Sequence, residues 1–279
     1  MPSGTPRLNS IQINGFELQF VVQGEGEPVI FVHGSNSDHR IWNEHLDIIS
    51  EEYEIIALTQ RYFGSADWPD DGEKFCLQTL ADDLAAFITA SRLQPVTIVG
   101  WSLGGGVCLT MAAQHSDLVR KMFLYEPALA SFLEDPEEAE LAAKDRVSMS
   151  ADAKNCADVG DYPETVRAFM DGVNAQRGAF DGLSQQLQQV MVDNARMLPL
   201  LFAGPPAPAA SSAGLKNLHV PITIGLGQYS RPFYRIAATA ARQLLPDAKL
   251  VGIDGGNHLW PVKDAHSFCK CVMRFLNET

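Results

Sequence analysis

The sequence predicts an α/β fold in which helices cover both faces of a mostly parallel sheet and a helical segment interrupts the pattern. Short apolar runs rich in β-branched residues recur along the chain, and amphipathic segments of helical length separate them. Residues 128–218 contain no such apolar run and predict the helical interruption. The 279 residues are 46% apolar and 20% charged, as expected of a globular protein with a sizeable core.

The elements follow in chain order. The stretch IQINGFELQFVVQ alternates on either side of Asn14-Gly15, which predicts an antiparallel hairpin at one edge of the sheet. The later strands are predicted from PVIFVHG, EIIALTQ, PVTIVG, KMFLYEP, PITIGLG and KLVGID. None of these runs alternates, so we expect both faces of each strand to be buried. The main helices are predicted from RIWNEHLDIISEEY, LQTLADDLAAFITASR, GGGVCLTMAAQHS, YRIAATAARQLL and HSFCKCVMRFLNE.

The interruption divides the chain into two predicted units. Residues 1–127 and 219–279 form the core domain, and residues 128–218 form a helical cap or lid over one edge of the sheet. Within the cap, polar helical segments are followed by AGPPAPAASSAG, whose composition is typical of a connector.

Charge and cysteine content restrict the partners. The net charge of −13 argues against binding to nucleic acid or to an anionic membrane. The five cysteines are odd in number and have no metal-ligand spacing, so free thiols in a reducing compartment are expected. The first residues lack the pattern of a signal peptide, and we therefore expect a cytoplasmic protein. The sequence leaves a homodimer open.

The strongest local motif is VGWSLGGG, residues 99–106. Its G-x-S-x-G core follows the predicted strand PVTIV and opens a predicted helix, the context in which such a serine is exposed on a tight turn. The glycines on either side let the turn close, and the helix N-terminus favours negative charge at Ser102. In this motif the sequence resembles the α/β-hydrolase superfamily, and the resemblance extends along nearly the whole chain.

The resemblance implies the partners of Ser102. FVHGSNSDHRIW is similar to the oxyanion-loop segment of the family, so the backbone N–H groups of Ser35 and Leu103 are expected to hold an oxyanion. GIDGGNHLWP matches the segment that presents the general base, which identifies His258 in that role. RYFGSADWP resembles the loop after the fourth strand, with Thr59 in place of an Asp and Tyr62 in place of a Gly.

The third member of a triad is missing from its usual position. In most of the superfamily an acid follows the seventh strand, but GQYSRPF places Ser230 there. Three explanations remain open. Glu126, after the sixth strand, supplies the acid, as in zearalenone-type lactonases; Asp254, in the base loop, supplies it; or catalysis has been lost and the protein is a ligand-binding receptor. We favour Glu126, because Asp254 precedes His258 too closely in the sequence and the intact nucleophile turn, oxyanion segment and base argue against a loss of catalysis.

The sequence therefore predicts a serine hydrolase that cleaves a small, apolar ester, lactone or related acyl substrate by a Ser-His-Glu triad. Hydrolysis of a carbon–carbon bond and cofactor-free oxygen chemistry remain alternatives, because they use the same residues. No metal or organic cofactor is expected. The candidate residues for substrate binding are Gly34, His39, Trp42, Trp101, Leu129, Phe132, Phe233 and Trp260.

Overall fold

The computed structural model describes residues 6–203 and 209–278. This part of the chain contains eight strands: β1 (Arg7–Ile13), β2 (Phe16–Gln23), β3 (Pro28–Val32), β4 (Glu54–Thr59), β5 (Val96–Trp101), β6 (Val119–Tyr125), β7 (Ile222–Gly227) and β8 (Ala248–Ile253). They form one sheet in the order β1-β2-β4-β3-β5-β6-β7-β8. The strands from β3 to β8 pair in parallel, whereas β1 and β2 are antiparallel.

The hairpin prediction is confirmed. Arg7 pairs with Val22 and Ile13 with Phe16, so the register runs without a break to the turn. Asn14 and Gly15 have φ values of 43° and 78°, the left-handed conformation that a two-residue turn of this type requires. Strand β2 then pairs antiparallel with β4, which joins the hairpin to the parallel strands.

The helices of the described residues are α1 (Asn43–Ile49), α2 (Leu77–Ala90), α3 (Leu103–Ala112), α4 (Pro136–Asp158), α5 (Tyr162–Asn174), α6 (Gln185–Asp193), α7 (Leu198–Phe202), α8 (Ser212–Lys216), α9 (Pro232–Leu244), α10 (Trp260–Lys263) and α11 (Ala265–Asn277). Helix α1 packs against α11, and α2 packs against α3. Every residue of β5 is buried, as its continuous apolar run predicts. The same expectation is wrong for β8, in which only Ala248 is buried, because this strand lies at the edge of the sheet.

The described part of the segment between β6 and β7 consists of helices and the loops that join them. Helices α4 to α8 occupy it, and residues 128–203 and 209–218 contain no strand. Helix α4 packs against α5 and also against α9 of the core. Part of the predicted connector AGPPAPAASSAG falls on residues 204–208, outside the described residues. The division into a core of residues 1–127 and 219–279 and a cap of residues 128–218 stays a prediction.

The loop after β4 explains one unusual residue of the sequence. Tyr62 stands where the related motif has a glycine, and its φ is 71°, in the region that favours glycine. The preceding Arg61 is buried and forms an ion pair with Asp83 at 2.7 Å, which fixes the loop against α2. The loop therefore keeps the backbone shape of the motif without its glycine.

All five cysteines lie in the described part of the chain and carry free thiols, with Cys108 and Cys269 buried in the core. No helix among residues 6–203 and 209–278 has the length and apolar character needed to cross a bilayer.

Candidate active site

Four candidate residues meet at one edge of the sheet because each follows a parallel strand. Gly34 follows β3, Ser102 follows β5, Glu126 follows β6, and His258 lies in the loop after β8. Parallel strands present their carboxyl ends at the same edge, so residues that are far apart in the sequence become neighbours there. Ser102, Glu126 and His258 are 5%, 0% and 3% exposed, so water is largely excluded from all three.

Ser102 occupies a strained turn. Its φ of 54° and ψ of −119° lie outside the usual regions for a residue with a side chain. The turn closes only because Gly104 has no side chain, since a Cβ there would come within 2.4 Å of the His33 carbonyl oxygen. Although Ser102 precedes α3, its side chain does not cap that helix. The turn therefore holds the hydroxyl free for another partner.

That partner is His258. The Ser102 Oγ lies 3.0 Å from His258 Nε2, and His258 Nδ1 lies 2.7 Å from Glu126 Oε2. With the Nδ1 proton donated to the carboxylate, Nε2 is left to accept the serine proton. The structure thus brings together the nucleophile, base and acid that the sequence singles out. Asp254, the alternative acid, is exposed to solvent.

Glu126 is held by the loop after β7. Its Oε1 accepts hydrogen bonds from the Gly227 N–H, at 2.9 Å, and from the Ser230 hydroxyl, while Oε2 faces the histidine. Its backbone φ of 45° is another departure from the usual regions. A fully buried carboxylate is costly unless it is paired and hydrogen-bonded. Ser230, which stands in the usual position of the acid, thus donates to the acid on the next strand.

His258 is packed from two sides. The Tyr234 ring stacks on the imidazole with centroids 4.0 Å apart and planes 10° from parallel. The backbone around His258 is also held. Trp101 Nε1, at the end of β5, donates to the His258 carbonyl oxygen at 3.0 Å, and Asn174 Oδ1, at the end of α5, accepts from the N–H of Leu259. Burial and the nearby Glu126 raise the pKa of Tyr234, so its hydroxyl remains protonated beside Ser102. These contacts fix the orientation of the imidazole.

Sequence reasoning missed Tyr234 and Asn174. Tyr234 directly follows the candidate Phe233 and is the third residue of α9, so the helix start after Pro232 was its one local signal. No periodicity in the sequence indicates that its ring would meet His258, because the contact joins two loops and a helix from different parts of the chain.

The backbone N–H groups of Ser35 and Leu103, the predicted oxyanion donors, have no hydrogen-bond acceptor in the described part of the chain. Leu103 is the first residue of α3, so its N–H has no partner within the helix. The N–H of Ser35 donates to no acceptor within the described residues. Gly34 brings this loop close to the nucleophile, since a Cβ at Gly34 would lie 3.2 Å from Ser102 Cβ. Two N–H groups are therefore available where an alkoxide would develop.

His33 supports the oxyanion loop as a neutral side chain. Its Nδ1 donates to the Gly34 carbonyl oxygen at 2.7 Å, and its Nε2 accepts from the Gln60 N–H at 3.1 Å. Burial lowers the pKa of His33 to about 4. The imidazole therefore stays uncharged near neutral pH and holds the loop by hydrogen bonds.

The substrate-binding candidates divide into three groups. Gly34, Trp101 and Phe233 lie at the site, since Phe233 packs edge-on against Tyr234 with ring centroids 5.2 Å apart. Leu129 and Phe132 are buried just after the Glu126 loop.

The other three candidates have contacts in the core or at the end of β4. Trp42 is fully buried in the core, where it stacks on Phe268 and meets Trp101 edge-on with ring centroids 6.2 Å apart. Trp260 packs against Tyr125 and Phe268. His39 Nδ1 lies 2.7 Å from the Thr59 hydroxyl, at the end of β4.

Among residues 6–203 and 209–278, no group of three His, Cys, Asp or Glu side chains converges as metal ligands would. The arrangement at Ser102 is instead one in which a hydroxyl, an imidazole and a carboxylate form a chain of hydrogen bonds, the arrangement used for nucleophilic attack on acyl groups.

Comparison with known proteins agrees with this class. Residues 27–151 match the family model of the alpha/beta hydrolase fold. The esterase RhEst1 from Rhodococcus sp. ECU1013 is similar in structure, with a TM-score of 0.74 and 22% identity over 98% of each chain. The matched segment and the structural similarity show that the chain has the alpha/beta hydrolase fold.

Two curated relatives are similar in sequence. The pyrrolizixenacetamide deacetylase of Xenorhabdus hominickii is 26% identical over 125 residues, 44% of this chain and 46% of the relative. The match thus spans about half the length of that protein. The 2-(acetamidomethylene)succinate hydrolase of Mesorhizobium japonicum is 26% identical over 277 residues, 96% of this chain and 94% of the relative.

Proposed function

We propose that this chain is a serine hydrolase of the α/β-hydrolase superfamily that cleaves a small ester, lactone or related acyl substrate by a Ser102-His258-Glu126 triad. One observation carries the proposal: two hydrogen bonds, of 3.0 Å and 2.7 Å, join a strained serine, a buried histidine and a buried carboxylate. A serine hydroxyl is a weak nucleophile unless a base removes its proton, and this chain of bonds supplies the base.

In the first step, Ser102 Oγ attacks the carbonyl carbon and its proton moves to His258 Nε2. The electron pair of the C=O double bond moves onto the oxygen, which the N–H groups of Ser35 and Leu103 stabilise. Each such donor contributes about 3 kcal/mol to transition-state stabilisation. The tetrahedral intermediate then collapses, the bond to the leaving group breaks, and His258 gives its proton to that group.

In the second step, water attacks the acyl-enzyme with His258 again acting as base. The acid is released and Ser102 recovers its proton. Glu126 keeps the imidazole in the tautomer that accepts at Nε2, and its charge stabilises the imidazolium formed in each step. The stacked Tyr234 ring limits rotation of the imidazole between the steps.

The position of the acid defines the proposed branch. An acid at the end of β6, as Glu126 is, resembles the arrangement of zearalenone-type lactonases. We place the described helices of segment 128–218, α4 to α8, over the site as a cap, supported by the contact between Met149 of α4 and the Tyr234 hydroxyl, at 3.4 Å. Amides are a second candidate substrate class, because both sequence relatives are named for reactions of acetamido compounds.

The test uses a fluorophosphonate probe, which labels an activated serine without knowledge of the substrate. The wild-type protein is expected to be labelled and the Ser102→Ala variant is not, and Ser37→Ala is a matched control because Ser37 is a buried serine of the oxyanion loop that contacts His33 rather than His258. A panel of esters, lactones and acetamides, with product masses, then identifies the reaction.

Unlabelled wild-type protein beside a labelled control hydrolase would favour a ligand-binding receptor. Products of carbon–carbon cleavage or oxygen insertion would favour the alternative chemistries. Ser102→Ala is expected to lower kcat by on the order of 10⁴-fold or more.

A further inference from the structure

One cation near the triad has no partner in the described part of the chain. Arg146 lies in α4, on the helical stripe formed with the buried residues Ala142, Met149 and Ala153. Its side chain is half-buried, yet its guanidinium makes neither an ion pair nor a hydrogen bond with residues 6–203 and 209–278. Buried cations in proteins are normally paired, so an unpaired guanidinium at this position indicates a binding partner outside the chain.

Other cations around the sheet edge are paired. Arg61 pairs with Asp83 and Arg40 with Asp38, each at 2.7 Å. Asp145, next to Arg146 in the sequence, is fully engaged: its two carboxylate oxygens accept from Arg231 and from the Phe233 N–H. The carboxylate next to Arg146 in the sequence is therefore held by other groups.

The location of Arg146 connects it to the reacting atoms. Met149 lies one helical turn further along α4, and its sulfur accepts from the Tyr234 hydroxyl. The Tyr234 ring stacks on His258, and its hydroxyl reaches Ser102. Arg146 lies near Tyr234, and burial lowers the pKa of its guanidinium. The same face of α4 thus places an unpaired positive charge near the tyrosine that stacks on His258.

We propose that Arg146 binds a carboxylate of the substrate, so that the ester or amide cleaved at Ser102 also carries an anionic group. This inference rests on the proposed hydrolase function and names its substrate class. A guanidinium offers parallel N–H donors that match the two oxygens of a carboxylate. The net charge of the protein is −13, which repels anions in general. An unpaired cation at the site would offset this repulsion locally and favour an anionic substrate over a neutral one. The proposed substrate differs from the apolar substrate predicted from the sequence in that one end carries a charge.

The experiment compares two para-nitrophenyl esters of equal chain length, the adipate monoester and the neutral hexanoate. The variants are Arg146→Met and its control Lys144→Met. Lys144 lies on the same helix, is 69% exposed and pairs with Glu140, so its removal changes the net charge equally without touching the site. Arg146→Lys keeps the charge but loses the planar fork, and circular dichroism checks folding of each variant.

In the wild-type protein kcat/KM is expected to be higher for the adipate ester. Arg146→Met is expected to lower the ratio of the two kcat/KM values by about tenfold or more, Arg146→Lys by less, and Lys144→Met hardly at all. A wild type that shows no preference for the anionic ester, or equal effects of Arg146→Met and Lys144→Met, would overturn the assignment.

A binding measurement keeps the inference testable if no ester is turned over. Calorimetric titration with adipate and with the uncharged hexane-1,6-diol is expected to show tighter binding of adipate, lost in Arg146→Met and kept in Lys144→Met. Adipate that binds no more tightly than the diol would contradict the anion site. Failure of fluorophosphonate labelling together with retained adipate binding would instead contradict the hydrolase proposal alone.

Discussion

The ends of β6 and β7 show how one function is divided between neighbouring strands. The end of β6 carries a charge, Glu126, which is fully buried and faces His258 at 2.7 Å. The end of β7 carries none, but its Gly227 N–H and Ser230 hydroxyl both donate to the second oxygen of Glu126. The loop that usually supplies the acid has become a support for an acid placed one strand away. A buried carboxylate needs such donors, so the two loops are physically linked.

The largest effect is expected from the β6 end. Glu126→Gln is expected to lower kcat by on the order of 10³- to 10⁴-fold, because an amide does not neutralise the imidazolium and can stabilise the wrong tautomer. The measurement is steady-state turnover of an ester found in the substrate panel. A kcat within tenfold of the wild type would show that Glu126 is a structural carboxylate.

A second substitution sharpens this result. Adding Ser230→Asp to the Glu126→Gln variant returns an acid to the β7 loop, whose backbone already faces the site. We expect a partial recovery of kcat, about tenfold or more over Glu126→Gln alone. Ser230→Asn in the same background is the control, since it matches the size without the charge.

A smaller effect is expected from the β7 end. Ser230→Ala removes one neutral donor to a charged acceptor, which is worth about 1.5 to 3 kcal/mol at most. Because the Gly227 N–H still holds the same oxygen, we expect kcat to fall by about tenfold or less. A loss as large as that of Glu126→Gln would reverse the roles given to the two loops.

The smallest effect is expected on the pH dependence of stability and comes from His45. This buried histidine has no carboxylate partner among the described residues, unlike His258. His45 donates to the Pro261 carbonyl oxygen, and burial lowers its pKa to about 4. Since its pKa is near 6.5 in the unfolded chain, the unfolded state binds a proton first as the pH falls. Stability from this group is present above pH 6.5 and is lost between about pH 6.5 and 4.

We therefore expect the free energy of unfolding of the wild type to fall from pH 7 to pH 5. His45→Gln is expected to remove about 2 kcal/mol of that fall, measured by denaturant titration at both pH values. An identical pH dependence in the two proteins would show that His45 does not contribute.

The parts of the fold that the sequence predicts are those that depend on local patterns. Asn14-Gly15 predicts the hairpin turn, and the uninterrupted runs predict buried strands, because burial and turn geometry act over a few residues. The strained turn at Ser102 was likewise readable, since its glycines are adjacent to it. The hydrolase resemblance added His258 and the oxyanion loop.

The parts that could not be predicted depend on contacts between distant segments. Trp42 is an aromatic residue beside the oxyanion loop, but packing against Phe268, which is more than two hundred residues away, draws it into the core. Tyr234 reaches His258 only because α9 starts beside the base loop. The loss of charge at Ser230 was visible in the sequence, whereas its hydrogen bond to Glu126 required the structure.

The most direct test of the central claim is a proton NMR spectrum of the resting protein, which needs no substrate. A proton held between His258 Nδ1 and a buried carboxylate is strongly deshielded and exchanges slowly. We predict that this resonance is present in the wild type and in Ser230→Ala and absent in Glu126→Gln. A resonance that survives in Glu126→Gln and disappears in Ser230→Ala would contradict the assignment of the acid to the end of β6.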